Sequence, residues 1–342
     1  MKPSDDDDAI RACGLTRSIP EQGGYRRRRC GRGFSYIDGN GRVVSDRGLR
    51  ERLQALAAPP AWQDVWYAPS PSAHIQATGY DQRGRRQYIY HPAWRTWRDT
   101  RKFHRMAAFG AALPRLRRKM RAALDSDDLL ELACGAVATL LDKAALRVGS
   151  AEYAKENGTF GAASLLKRHL TIERDRIVLD FCAKGSKRRH IELADPALSE
   201  ALAELDDQPG RELFRIVDGD GEHQLTSCDV NAWIRGIAGE EFSAKDFRTF
   251  KAAALFLEAL AGAGQAPDGV RRRASILNAA YERVARQLGN TASVCKSSYC
   301  PPAFAEAWQE GRIPAFDLAA RKDRRRLPLR DKRAIHAFRA LY

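Results

Sequence analysis

The chain has 342 residues, 44% of them hydrophobic, enough to bury a core and more readily divided into two domains than into one or three. Lys and Arg number 58 against 43 Asp and Glu, and the formal charge of +15 points to a polyanionic partner rather than a small neutral ligand. No stretch is long and apolar enough to span a bilayer, the start at Lys2 and Asp5 to Asp8 is unlike a signal peptide, and seven scattered cysteines without paired CxxC units suit reduced thiols in a cytoplasmic protein.

Residues 1–24 are polar, acidic and rich in Gly and Pro, and read as a mobile tail. Two short strands at 34–37 and 42–44 flank the turn Asp38-Gly39-Asn40-Gly41. Ser45 then caps a helix carrying Leu49, Leu53 and Leu56 on one face, which Pro59 and Pro60 end. Further strands are expected at 65–67, 74–77 and 86–90, making 25–97 a small, mainly antiparallel β domain.

From residue 98 the pattern turns helical, with segments at 103–113 and 116–124 and a strong apolar stripe from Leu129 to Ala144. Alternation at 169–172, 176–181 and 189–193 predicts a three-stranded sheet, and helices resume at 198–205, 230–237, 247–260 and 269–288. The class is therefore α+β: the β-rich N-terminal domain, then a larger, mainly α domain over 98–342 containing the three-stranded sheet. No internal repeat is visible. The run Arg321 to Arg326 reads as a solvated charged face.

Four separated residues carry the chemistry. Arg147 follows the long apolar helix in Leu146-Arg147-Val148-Gly149, Lys184 sits in the turn between two alternating segments, Arg248 lies in Lys245-Asp246-Phe247-Arg248-Thr249, and Tyr299 closes the segment that opens with Gly289-Asn290. Opening a phosphodiester requires an oxygen nucleophile, positive donors on the non-bridging oxygens and an acid for the departing oxygen. Two arginines can hold the phosphate with planar forks at any working pH. A free tyrosine has a pKa of about 10, so Tyr299 needs an electropositive surround to attack near neutrality. Lys184 is the natural acid, and Asn290 can add a hydrogen bond. Singly, each has a plainer reading: a packed tyrosine, arginines serving helix ends, a solvated hairpin turn, an asparagine ending a helix. Cys295 and Cys300 bracket Tyr299 without a nearby histidine, so a packing role is expected rather than a zinc site.

In joint order these segments resemble the type IB DNA topoisomerases, in the small bacterial and poxvirus-like branch, from about Tyr25 onward. The matching segments include Gly33-Phe34-Ser35-Tyr36-Ile37-Asp38, Pro59-Pro60-Ala61-Trp62, Gly84-Arg85-Arg86-Gln87-Tyr88-Ile89-Tyr90, Arg147-Val148-Gly149 and Lys245-Asp246-Phe247-Arg248-Thr249. The resemblance implies relaxation of supercoiled duplex DNA through a 3′-phosphotyrosyl link on Tyr299. Arg147, Arg248 and Asn290 would stabilise the transition state, and Lys184 would be the general acid, with no ATP, metal or small-molecule cofactor. Many members place a histidine where Asn290 stands, and bacterial relatives carry asparagine there. The resemblance also implies DNA contacts from Gln87, Tyr88, Tyr90 and Arg85, with Arg83 and Arg86 nearby, and from Tyr153, Lys155 and Lys245, in a monomer whose domains close around duplex DNA at the nucleoid.

Two other readings compete. A tyrosine recombinase shares the Arg, Lys, Arg and Tyr logic but usually has His-x-x-Arg where this chain has Lys245-x-x-Arg248, and a helical bundle where it has strands. A non-catalytic DNA clamp would have no need of all four residues.

Overall fold

The arginine-rich segment before Phe34 forms a strand although nothing in its composition alternates. In the computed structural model, which describes residues 3–218 and 221–342, β1 (Tyr25–Cys30) pairs antiparallel with β2 (Gly33–Ile37). With β3 (Gln63–Tyr67), β4 (Ile75–Tyr80) and β5 (Arg86–Tyr90) they make a five-stranded antiparallel sheet in the order β2-β1-β3-β4-β5. Arg27 anchors the first strand: its guanidinium donates to the carbonyls of Ala58, Pro59 and Trp62 at 2.7, 2.9 and 2.8 Å and lies 4.1 Å from the Phe34 ring centroid. The expected partner of residues 34–37 is thereby displaced, and Val43 makes only an isolated bridge to Ile37.

Between β2 and β3, α2 (Arg47–Ala55) is capped by Asp46 rather than Ser45, the carboxylate accepting the Leu49 N–H at 2.6 Å. Leu53 from this helix packs with Val65, Tyr67 and Ala77 on one side of the sheet. The segment read as a tail is folded. In α1 (Pro3–Ala12) and the residues after it, Ala9, Ile10 and Leu15 are buried with Trp94. Thr16 bridges to Ala73, and the Ser18 hydroxyl donates to the Ile75 carbonyl at 3.0 Å. A few apolar positions carry this docking, which a polar average hides. Met1 and Lys2 lie outside the described residues.

The chain divides into two compact units, Met1–Lys102 and Phe103–Tyr342, whereas the sequence pattern changes at 97–98; α3 (Pro92–His104) runs through both positions. In the second unit α4 (Met106–Ala123) is one helix across Pro114, where two were expected. Proline inside a helix costs roughly 3 kcal/mol. Here Phe109 and Leu113 before it and Leu116 and Met120 after it continue one buried stripe, and that burial offsets the lost hydrogen bond.

The succeeding elements are α5 (Leu129–Ala144), α6 (Ala151–Asn157), β6 (Leu170–Glu173), β7 (Arg176–Ala183), β8 (Lys187–Ala194) and α7 (Pro196–Asp207). An unexpected strand pair, β9 (Arg215–Asp218) with β10 (Gly221–Gln224), precedes α8 (Ser227–Ala238), α9 (Ala244–Gly262) and α10 (Val270–Leu288). The chain ends with α11 (Ala292–Ser298), α12 (Pro302–Gln309), α13 (Ile313–Lys322) and α14 (Leu329–Leu341). Asp128 caps α5, accepting from Leu130 N–H at 2.8 Å, and the helix is buried at eleven of its sixteen positions. A helix apolar on every side belongs in the middle, and α5 packs against α4, α7, α8 and α9. The strands β6-β7-β8 form the expected antiparallel sheet.

The α+β class is the one expected. The run from Arg321 to Arg326 is more than a solvated face, because Asp323 within it pairs with Arg325 and with His336 at 3.1 Å, while Lys332 donates to its carbonyl at 2.7 Å. These bonds join the end of α13 to α14. All seven cysteines are free thiols, and Cys295 and Cys300 are buried. Among the described residues no helix is long and apolar enough to cross a membrane.

Candidate active site

Arg147 is held by a crossing of two backbone segments. Ala145, just past the end of α5, takes a left-handed conformation (φ 52°) and turns the chain into Leu146-Arg147-Val148-Gly149. There the Arg147 and Val148 carbonyls accept from Ala162 and Ala163 N–H at 2.8 and 2.7 Å. Two glycines make the approach possible. A Cβ on Gly161 would stand 2.6 Å from the Arg147 oxygen and from the Gly149 nitrogen, and one on Gly149 (φ +81°) would stand 2.6 Å from Ser164 Oγ.

Arg248 is only 4% exposed, in the first turns of α9. Its Nη1 donates to the Ala145 carbonyl and its Nη2 to the Leu288 carbonyl, the latter at 2.7 Å. Both acceptors are at helix C-termini, where carbonyls lack intrahelical partners and a cation is favoured. Helix α5 leads from there into Arg147, and α10 into Gly289-Asn290, so one buried guanidinium sets the position of both. Burial, and next the nearby Arg147, push the Arg248 pKa down to about 10, which leaves it charged near neutrality.

Arg147 Nη2 donates to Asn290 Oδ1 at 2.8 Å, which fixes the amide with Nδ2 turned away. Asn290 Nδ2 is buried with no oxygen acceptor, facing only the weakly accepting Cys295 thiol, and Arg248 Nε is buried without a partner. A guanidinium has five N–H donors. Two of those on Arg248 serve the Ala145 and Leu288 carbonyls and another faces Tyr299, which leaves the buried Nε–H unmet.

Lys184 is exposed in the Lys184-Gly185-Ser186 turn, which the Ala183–Lys187 pair of β7 and β8 closes. It shares a cleft with Arg147, Arg248 and a residue that the sequence reading missed, Arg189. Arg189 donates to the Gln287 carbonyl at 2.9 Å and more weakly to Arg286 at 3.4 Å, and its Nη1 lies 2.7 Å from where a Cβ on Gly289 would stand. It ties the lysine hairpin to the end of α10, which leads into Asn290. Burial, then Arg147, lowers its pKa. The signal was present in the sequence: Arg189 falls in the same phase of β8 as Ile191 and Leu193, facing inward where an apolar residue is expected.

Tyr299 ends α11, its N–H donating to the Cys295 carbonyl at 3.0 Å, with its ring half-buried and 5.4 Å from the Arg248 guanidinium carbon. Cys295 sits behind it. Burial raises the Cys295 pKa, partly offset by Asn290 and by the charges of Arg248, Lys187 and Arg147, so the thiol is a packing group.

The remaining candidates are not among the residues that line this cleft. Tyr153 and Lys155 are on α6, whose Ser150 cap follows Gly149; Tyr153 is half-buried and Lys155 exposed. Lys245 is exposed whereas Arg248, one turn later, is buried. In the first unit Gln87 Nε2 donates to Asp81 at 3.0 Å, Arg85 pairs with the same carboxylate at 2.8 Å, and Arg86 pairs with Glu21 at 2.9 Å. Tyr88 and Tyr90 stack with ring centroids 5.8 Å apart, and Tyr88 is 42% exposed.

Chemically, the cleft gathers three guanidinium groups and an ammonium, none of them ion-paired with a carboxylate among the described residues, with two buried donors lacking an oxygen acceptor. Such a site is built for an anion with several oxygens. The proteins that this chain resembles define its class as the DNA topoisomerases. Residues 91–310 match the model of the eukaryotic DNA topoisomerase I catalytic core, and residues 33–81 match that of the bacterial DNA topoisomerase IB N-terminal domain. DNA topoisomerase 1B of Acanthamoeba polyphaga mimivirus is 30% identical over 313 residues, 88% of this chain and 91% of that protein. DNA topoisomerase 1 of Schizosaccharomyces pombe is 29% identical over 164 residues, 47% of this chain and 19% of that protein. The chain belongs to the type IB DNA topoisomerases and is an enzyme of that family.

Proposed function

We propose that this enzyme relaxes supercoiled duplex DNA by cutting one strand through Tyr299, letting it rotate about the intact strand, and resealing it. The observation that carries this reading is the pair of buried donors without an oxygen acceptor, Asn290 Nδ2 and Arg248 Nε, beside a cleft lined by unpaired arginines. A phosphodiester's non-bridging oxygens would satisfy them. Tyr299 Oη attacks phosphorus as it gives up its proton to solvent, the bond from phosphorus to the 5′-oxygen breaks, and the departing oxygen takes a proton from Lys184. The product is a 3′-phosphotyrosyl link and a free 5′-hydroxyl. Resealing reverses each step, with the hydroxyl returning its proton to Lys184 and the tyrosine leaving. The phosphoester bond is conserved in the tyrosyl link, so no ATP is consumed, and Arg147, Arg248 and Arg189 supply the positive charge that a metal would otherwise bring.

DNA contacts beyond the cleft would come from Tyr153, Lys155 and Lys245 in the second unit and from Tyr88, Tyr90 and Gln87 in the first. Arg85 would have to release Asp81 to reach phosphate. Seven free thiols suit the cytoplasm, and the positive net charge suits work on chromosomal DNA.

Plasmid relaxation in EDTA without ATP tests this directly, with full activity expected. Tyr299→Phe should abolish relaxation and covalent capture while leaving DNA binding intact. Relaxation that requires added magnesium, or that survives in the phenylalanine variant, would rule the mechanism out.

A further inference from the structure

Between Tyr25 and Phe34 the chain carries Arg26, Arg27, Arg28, Arg29 and Arg32 and no carboxylate. Strand β1 meets β3 only at Tyr25 and Arg26, so the stretch from Arg28 through the turn to Ser35 is a two-stranded ribbon reaching past the rest of the sheet. Arg27 fastens one of its faces to the carbonyls of residues 58, 59 and 62. The other four arginines are exposed and form no ion pair among the described residues. Their cross-strand neighbours bring no negative charge either, Ser35 standing opposite Arg28 and Phe34 opposite Arg29.

Uncompensated like charges packed along one strand repel and work against the folded state, so their natural complement is an external polyanion. Strand β5, the expected DNA contact of this unit, differs in this respect, because Arg85 and Arg86 are already matched by Asp81 and Glu21. The ribbon's first strand also precedes residues 33–81, the part matched by the N-terminal family model.

We infer that the β1–β2 ribbon is a second DNA-docking surface of the first unit, engaging the phosphate backbone of duplex DNA. Same-face side chains on a strand repeat at about 6.8 Å. Because the backbone winds about the helix axis, neighbouring phosphates of one strand stand well beyond their axial rise of about 3.4 Å, and Arg26 and Arg28 suit neighbouring phosphates. Guanidinium forks bind phosphate oxygens in pairs.

The ribbon's partner follows from the substrate proposed above, and the experiment separates the two. Binding of the full chain to a 40-base-pair duplex is measured across a salt series in the Tyr299→Phe background. Replacing Arg28, Arg29 and Arg32 together with Ala should make the dependence of log affinity on log salt shallower by about 2.7, at roughly 0.9 per phosphate. The unmodified ribbon should therefore lose about 40-fold more affinity than the variant over a fourfold rise in salt. The corresponding triple Lys variant should keep most of the slope. An Ala variant with the parental slope and affinity would overturn the ribbon surface, and so would a Lys variant that falls as far as the Ala variant. Failure of the parental chain to bind the duplex at all would remove the substrate assignment as well.

Discussion

Asn290 and Lys251 show how much one side chain decides here. With Oδ1 taken by Arg147, Asn290 has only Nδ2 to offer a substrate. Asn290→Ala should therefore slow single-turnover cleavage by ~10²–10³-fold, the usual loss for one transition-state donor, with little change in DNA affinity; an unaltered cleavage rate would exclude the amide from the reaction. Lys251 lies one turn after Arg248 and donates to the Asp142 carbonyl at 2.8 Å and to that of Lys143, extending the same hold on the end of α5. Burial lowers its pKa to about 8, against about 10.4 in an unfolded chain. Between those values the unfolded chain binds the extra proton, so this group makes stability rise with pH from about 8 to 10. Urea unfolding at pH 7.5 and 9.5 should show Lys251→Met losing that rise relative to the parent, and identical pH dependence in the two would contradict it. Arg147, Lys184, Arg248, Asn290 and Tyr299 were singled out in the sequence because their chemistry is unusual in combination, and the structure sets the first three around one cleft, with Asn290 bonded to Arg147 and Tyr299 beside Arg248. Arg189 was not, since a charged residue in a strand looks like surface until its inward phase is noticed.

At the scale of elements, the site depends on helix ends rather than helix faces. The carbonyl ends of α5 and α10 are drawn together by Arg248, and the crossing of Gly149 with Gly161 holds the segment between α5 and α6. Gly161 has φ −134°, open to any residue, so Gly161→Ala tests the steric contact alone. It should destabilise the fold by about 1–3 kcal/mol and reduce cleavage by displacing Arg147, measured as a lower unfolding midpoint together with a slower single-turnover rate. A variant with parental stability would show that the crossing is loose. Strands with clear alternation, β6 to β8 among them, could be read from the sequence to within about two residues. Elements governed by a single long-range contact could not. Arg27 creates β1 by reaching carbonyls some thirty residues away, α4 survives Pro114 because both its halves pack on the same core, and α1 rests on Ala9 and Ile10, with Leu15 just after it.

For the whole molecule, the positive charge is unevenly used. Many arginines answer carboxylates, as Arg117 does with Asp142 and Asp331, while among the described residues Arg147, Arg189 and Arg248 in the cleft and Arg26, Arg28, Arg29 and Arg32 on the first unit's ribbon do not. The α+β class was visible in the change from alternation to helical periodicity; the chain's separation into two compact units comes from the structure. The point of division was not visible, because α3 continues the chain without a compositional break from one unit into the other. The central claim is that Tyr299 becomes joined to the 3′ end of the cut strand. It is tested most directly by trapping the enzyme on a duplex whose downstream fragment, the piece bearing the new 5′ end, dissociates after cleavage, then digesting the complex and locating the linked nucleotide by mass spectrometry. The account predicts a phosphodiester between Tyr299 and a 3′ end, with a 5′-hydroxyl on the released fragment; linkage to another residue or to a 5′ end would contradict it.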